Sequence, residues 1–132
     1  MRSHFPRALA LIAFAVLTMG CKTATQKCAG GDLDACKSQC DKNETSACFN
    51  ASAMYLLGKH GAPQDDAKAV EYKNRACSLG DLNACEELGV FYKNGFHAPT
   101  DIAKARVLLQ KACDGGVPTA CTSLRGLPRT GG

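Results

Sequence analysis

Four pairs of cysteines, each pair eight positions apart, constrain this chain more than any other feature. They are Cys28 and Cys36, Cys40 and Cys48, Cys77 and Cys85, and Cys113 and Cys121. The residues between them repeat too. Gly31-Asp32 precedes Ala35-Cys36, and Gly80-Asp81 precedes Ala84-Cys85. Gly116 and Ala120 hold the same places before Cys121. The second pair keeps Ala47 but carries Asn43 where the others have Gly. Glycine at that point supplies the positive φ that closes a helix C-terminus. An Asp directly after it can accept from the free amides that open the next helix. Each unit therefore reads as a helix end, a tight corner and a helix start, with a cysteine on either side. Eight cysteines allow roughly a hundred connectivities. One spacing recurring in one frame favours the local set: Cys28–Cys36, Cys40–Cys48, Cys77–Cys85 and Cys113–Cys121. A closed loop of about nine residues removes roughly 2–3 kcal/mol of unfolded-state entropy. Metal binding is the other use of paired cysteines. Zinc ligands usually stand only a few residues apart, so this spacing fits them poorly.

The frame has a period. Cys77 to Cys113 and Cys85 to Cys121 are both 36 residues, a length typical of stacked helix pairs. Residues 47–83 align with 84–119. The alignment matches Tyr55 with Tyr92, Gly58 with Gly95, Pro63 with Pro99, Asp65 with Asp101, and Ala69 with Ala105. In the second copy, Leu88, Phe91 and Tyr92 recur at helical spacing over about 84–94. Gly95 and Pro99 mark a turn. Asp101 caps a second helix reaching about Cys113, with Ala105, Leu108, Leu109 and Ala112 as its apolar stripe. The reading is all-α: a short solenoid of antiparallel helix pairs stapled by disulfides.

The N-terminus reads as an address. Arg2, His4 and Arg7 form a basic head, and Ala8 to Met19 is a run of apolar or small residues. Twelve helical residues span roughly 18 Å, short of a hydrocarbon core of about 30 Å, so a secretory signal fits better than a membrane span. The run ends in Leu17-Thr18-Met19-Gly20-Cys21, which resembles the lipobox of bacterial lipoproteins. Gly20 stands at the cleavage point and Cys21 supplies the thiol for lipidation. Thr18 departs from the usual Leu three places before the cysteine. An ordinary cleaved signal with Cys21 as a spare thiol is the competing reading, and it would make the protein a soluble secreted one. The chain has nine cysteines, and assigning Cys21 to lipid leaves an even number for bridges. Lys22, rather than Asp, follows the cysteine and points to the outer membrane. The expected organisation is a signal over 1–20, a lipidated tether over 21–27, a repeat domain over 28–126 and a flexible tail over 127–132. The repeat domain divides into a partial unit over 28–46, repeats over 47–83 and 84–119, and a cap over 120–126.

Ala84, Leu88, Gly89, Tyr92 and Gly95, then Asp101, Lys104 and Ala105, then Lys111, Ala112 and Cys113, together resemble a Sel1-like repeat. The cysteine corners make the chain similar to the cysteine-rich Sel1-like proteins called Hcp-like. The first copy departs from the pattern, with Ala51 and Ser52 in place of Leu-Gly. The resemblance implies protein–protein interaction or assembly of complexes, with partners bound on the concave face of the solenoid. Asn50 and Met54 in the first repeat, and Glu86, Glu87, Val90 and Phe91 in the second, are the candidate contact positions on the first helix of each pair. The expected partner is a protein or peptide, with self-association a further possibility and the membrane reached through the lipid alone.

The resemblance also carries a second reading, a β-lactam-binding protein or β-lactamase. Serine enzymes of that kind need Ser-x-x-Lys, and none of Ser38, Ser46, Ser52, Ser78 or Ser123 has Lys three places on. Zinc enzymes need clustered histidines. His60 and His97 instead stand in equivalent turns a repeat apart and read as solvent-facing. No catalytic residue, metal or cofactor is assigned. Without residues 1–20 the chain has 14 basic against 12 acidic side chains, a mixed surface that gives no electrostatic footprint for nucleic acid.

Overall fold

The computed structural model describes residues 22–129. Cys21 and the signal segment lie outside them. Seven helices follow in order: α1 (Ala24–Ala29), α2 (Leu33–Asp41), α3 (Thr45–Leu57), α4 (Asp66–Ser78), α5 (Leu82–Asn94), α6 (Ile102–Asp114) and α7 (Pro118–Arg125). The described residues contain helices and turns, with no strand. Sequential helices pack against each other, as antiparallel hairpins must when connections are this short. The odd-numbered helices form one layer, in which α1 touches α3 and α5 touches α7. The even-numbered helices form the other layer, where no pair packs comparably. The odd-numbered helices thus make the closer-packed, inner layer.

All four cysteine corners are built alike. The first cysteine is the next-to-last residue of its helix, and the second is the fourth residue of the helix that follows. Sulfur–sulfur distances are 1.96–2.06 Å and Cα–Cα distances 4.5–4.7 Å. At each corner one residue takes positive φ: Gly31 at 95°, Asn43 at 65°, Gly80 at 103° and Gly116 at 97°. The amide of the next residue then donates back five places, Asp32 to Lys27, Glu44 to Gln39, Asp81 to Ala76 and Val117 to Ala112, each at 3.0 Å. Asn is the non-glycine residue best suited to this region, which is why Asn43 replaces Gly without changing the corner. Asp32 and Asp81 cap the next helix through Ala35 and Ala84. Asp65 and Asp101 do the same for α4 and α6, through Lys68 and Lys104.

Small residues dominate the core. Ala51, Ala69, Ala76, Ala84, Ala105, Ala112 and Ala120 are fully buried, as are four of the bridged cysteines, with Cys28 and Cys77 nearly so. Such side chains let helix axes approach closely, so the interior is thin and the bridges form part of it. Gly89 marks one close approach between helices: a Cβ there would stand 2.7 Å from Leu109 Cγ.

Two boundaries differ from the sequence reading. α1 begins inside the stretch expected to be a free tether. Thr23 accepts from the Gln26 amide, and the Gln26 side chain accepts from the Thr23 amide, a reciprocal cap that starts a helix there. At the other end, Leu127 was assigned to the flexible tail. It is 5% exposed, and Arg106 donates to the Pro128 carbonyl, so residues 126–128 fold back onto the α6–α7 end.

Candidate partner-binding face

The inner layer positions the six candidate residues, and the structure divides them. Glu86 and Asn50 are half-exposed on helices of the inner layer. Asn50 Nδ2 lies 3.8 Å from Cys28 Sγ. Met54, expected at the groove surface, is 6% exposed and belongs to the apolar cluster. It stands one turn on from Asn50, on the same side of α3, and its longer apolar side chain is covered where Asn50 stays half-exposed. Val90 is half-buried and packs on the same cluster. Phe91 and Glu87 remain half-exposed.

Beneath these lies a residue that the sequence reading did not single out. Lys73 is 1% exposed. Its ammonium sits 4.5 Å from the Phe49 ring centroid and 5.4 Å from that of Phe91, and it pairs with Glu87. Lys73 belongs to α4, Phe49 to α3, and Glu87 and Phe91 to α5, so this one side chain joins three helices across the boundary between repeats. A buried ammonium is costly unless paired. Here a carboxylate and two aromatic faces offset that cost. The Glu87 side chain is 45% exposed, so the pair is buried at one end and wet at the other. The signal that could have found it is the alignment of the two copies, which sets Lys73 opposite Leu109.

Ser52, the equivalent of Gly89, is fully buried and donates to the Ala69 carbonyl at 2.8 Å. The two histidines, expected to face solvent, are exposed but reach back one repeat. Both have positive φ, 58° at His60 and 59° at His97. His97 Nδ1 lies 2.8 Å from Asp66 Oδ1, and the His60 ring lies against Gly31. Stacked Tyr55 and Tyr72 are 5.7 Å apart; partial burial, with Tyr55 second, raises the Tyr72 hydroxyl above its usual range. The hydrogen bond to Asp34 raises the Lys37 ammonium. Among the described residues, no group of three or more His, Cys, Asp and Glu side chains gathers as a metal site. No described helix is long and apolar enough to cross a membrane.

Fold and face together define a disulfide-stapled solenoid of helix pairs. The pattern of the Sel1 repeat matches residues 45–81 and 82–117, two helix pairs that begin at α3 and at α5. The chain belongs to the Sel1 repeat family. Among solved structures, it is similar to Helicobacter pylori cysteine rich protein B. The two are 28% identical with a TM-score of 0.65, over 70% of this chain and 68% of that one. A Sel1 repeat protein from Oxalobacter formigenes is 30% identical with a TM-score of 0.65, over 73% of this chain and 75% of that one. Among characterised proteins, it is similar to cytochrome c oxidase assembly factor 7 of Xenopus tropicalis, 40% identical over 57% of this chain and 32% of that protein. The Homo sapiens protein of the same name is 45% identical over 67% of this chain and 41% of that protein. The chain thus spans well under half the length of these assembly factors. Four disulfides indicate folding in an oxidising, extracytoplasmic compartment.

Proposed function

We propose that this protein is a non-catalytic interaction module that helps assemble a protein complex at a bacterial cell envelope, anchored by a lipid on Cys21. The observation that carries the reading is the inner face of α3 and α5. Phe49, Asn50, Glu86, Glu87 and Phe91 are half-exposed there, above a buried Lys73 that locks the two helices in register. A fixed face with aromatic anchors is what a protein partner needs, because little freedom is lost on binding. The names of the curated relatives support an assembly role. The lipobox-like run ending at Cys21 and the disulfides support the envelope address.

A photo-crosslinking residue placed at Glu86, on the inner layer, should capture partner protein in native membranes. The same residue at Val107, 68% exposed on α6, should capture none. Equal capture at both positions would remove the inner face as the binding surface. The anchor is tested separately by fatty-acid labelling. Label should enter the wild-type protein and be absent from Cys21→Ser; label retained in that variant overturns the anchor.

A further inference from the structure

The two turns that carry the histidines are closed to different degrees. In the second repeat, the His97 ring tilts against Phe91 with centroids 4.8 Å apart and pairs with Asp66. That corner is closed. In the first repeat, Met54 stands where Phe91 stands, and it is drawn into the core. His60 leans instead onto Gly31, where a Cβ would come 2.4 Å from its Nδ1. Between α1 and α3 a cavity of about 250 Å³ remains. Ala53, Met54 and Leu57 line it from α3, and Cys28 to Gly31 line it from the end of α1 and the corner that follows.

Size and charge narrow the occupant. Drug-sized ligands fill roughly 300–1,000 Å³, so this cavity suits a single side chain better. Leu57 at its lip is 62% exposed. The polar groups on the lining are Asn50, Lys59 and His60, with no carboxylate among them. Lys59 pairs with no carboxylate among the described residues. Asp32 and Asp34 stand in the neighbouring cleft beyond His60. Asp32 is already engaged by the Ala35 amide and Asp34 by Lys37. The lip is therefore apolar, with a lysine that has no ion-pair partner among the described residues.

We propose that this cavity docks a protein segment by one apolar side chain, of leucine size, with an adjacent carboxylate that reaches Lys59 and His60. The proposal rests on the protein-binding reading above and gives that partner its chemistry.

The probe is acetyl-Leu-Asp-amide, titrated into the oxidised protein and followed by backbone amide shifts. Shifts should concentrate at Gly30, Gly31, Ala53 and Leu57. Acetyl-Leu-Asn-amide should bind about three- to fivefold more weakly, the scale of one exposed ion pair, and acetyl-Ala-Asp-amide should lose comparable affinity. Lys59→Glu should erase the preference for Asp over Asn, with its helical spectrum unchanged because Lys59 is exposed. Ala53→Leu, which fills the cavity, should abolish binding. Shifts scattered over the surface, no shifts at all, or equal affinity for the Asp and Asn probes would overturn the proposal. If crosslinking at Glu86 still captures a partner while the cavity stays silent, the interaction reading stands and this pocket assignment falls.

Discussion

The pair formed by Ser52 and Lys73 shows how one helix-pair frame accepts two different interiors. In the second repeat, Gly89 makes room for branched Leu109. In the first, the repeat alignment sets an unbranched Lys at the same place and Ser52 at that of Gly89, with the Ser52 hydroxyl on the Ala69 carbonyl. Lys73→Leu should therefore crowd Ser52 and cost about 1–3 kcal/mol, as overpacked cores do. Adding Ser52→Gly should recover part of that loss. Chemical denaturation of the two single variants and the double variant measures the coupling; strictly additive effects would show that the residues do not share space. Lys73 was hidden in the sequence because its partners come from elsewhere: Phe49 and Phe91 lie on other helices, and Glu87 lies across a cysteine corner. A lysine inside an apolar stripe ordinarily reads as solvent-facing. The corner residues were legible for the opposite reason. Gly31, Asp32, Gly80 and Asp81 act on backbone within a few positions of themselves, so their chemistry and their spacing are the same information.

The helices differ in how firmly they are held, and α7 is held weakly. It has eight residues, and Ala120 is its one fully buried side chain. Its N-cap is Val117, which makes no side-chain capping bond. At two other corners the carbonyl of the leading cysteine accepts from a basic side chain of a later helix, Cys40 from Arg75 and Cys77 from Lys111. Cys113 has no such donor among the described residues. Both Cys113 and Cys121 are half-exposed, whereas the other bridged cysteines are buried. Thiol–disulfide exchange follows access. Graded reduction with alkylation and peptide mapping should find Cys113 and Cys121 modified first, with most helicity retained. Simultaneous opening of all four bridges would contradict this order. At the other end, the corner pattern called for a helix ending at Cys28, but the start of α1 was not legible because six residues are too few to display a helical period. Its one local sign was Thr23 followed three places later by Gln26, the spacing of a capping box.

The whole molecule is a short stack with a thin interior. Two full repeats leave little apolar surface to bury, and stacked-repeat proteins usually need three or more. Each bridge restricts the unfolded chain by roughly 2–3 kcal/mol. Four of them are comparable to the entire stability of an ordinary domain, about 5–15 kcal/mol. Full reduction at neutral pH should therefore abolish the helical circular dichroism near 37 °C. A spectrum unchanged after all eight thiols are freed would mean that the alanine-lined interior suffices alone. The architecture was legible at this scale because the 36-residue period fixes the stacking unit. The closer packing of the odd-numbered layer was not, since it depends on contacts between helices of different pairs.

Every covalent link joins residues eight positions apart, and this has a consequence for biogenesis. Each corner contains both of its own sulfurs, so it can oxidise as soon as its short stretch has crossed the membrane, before downstream sequence arrives. Maturation can then run in order from the N-terminal end, with little opportunity for mispaired isomers that would need an isomerase to unscramble them.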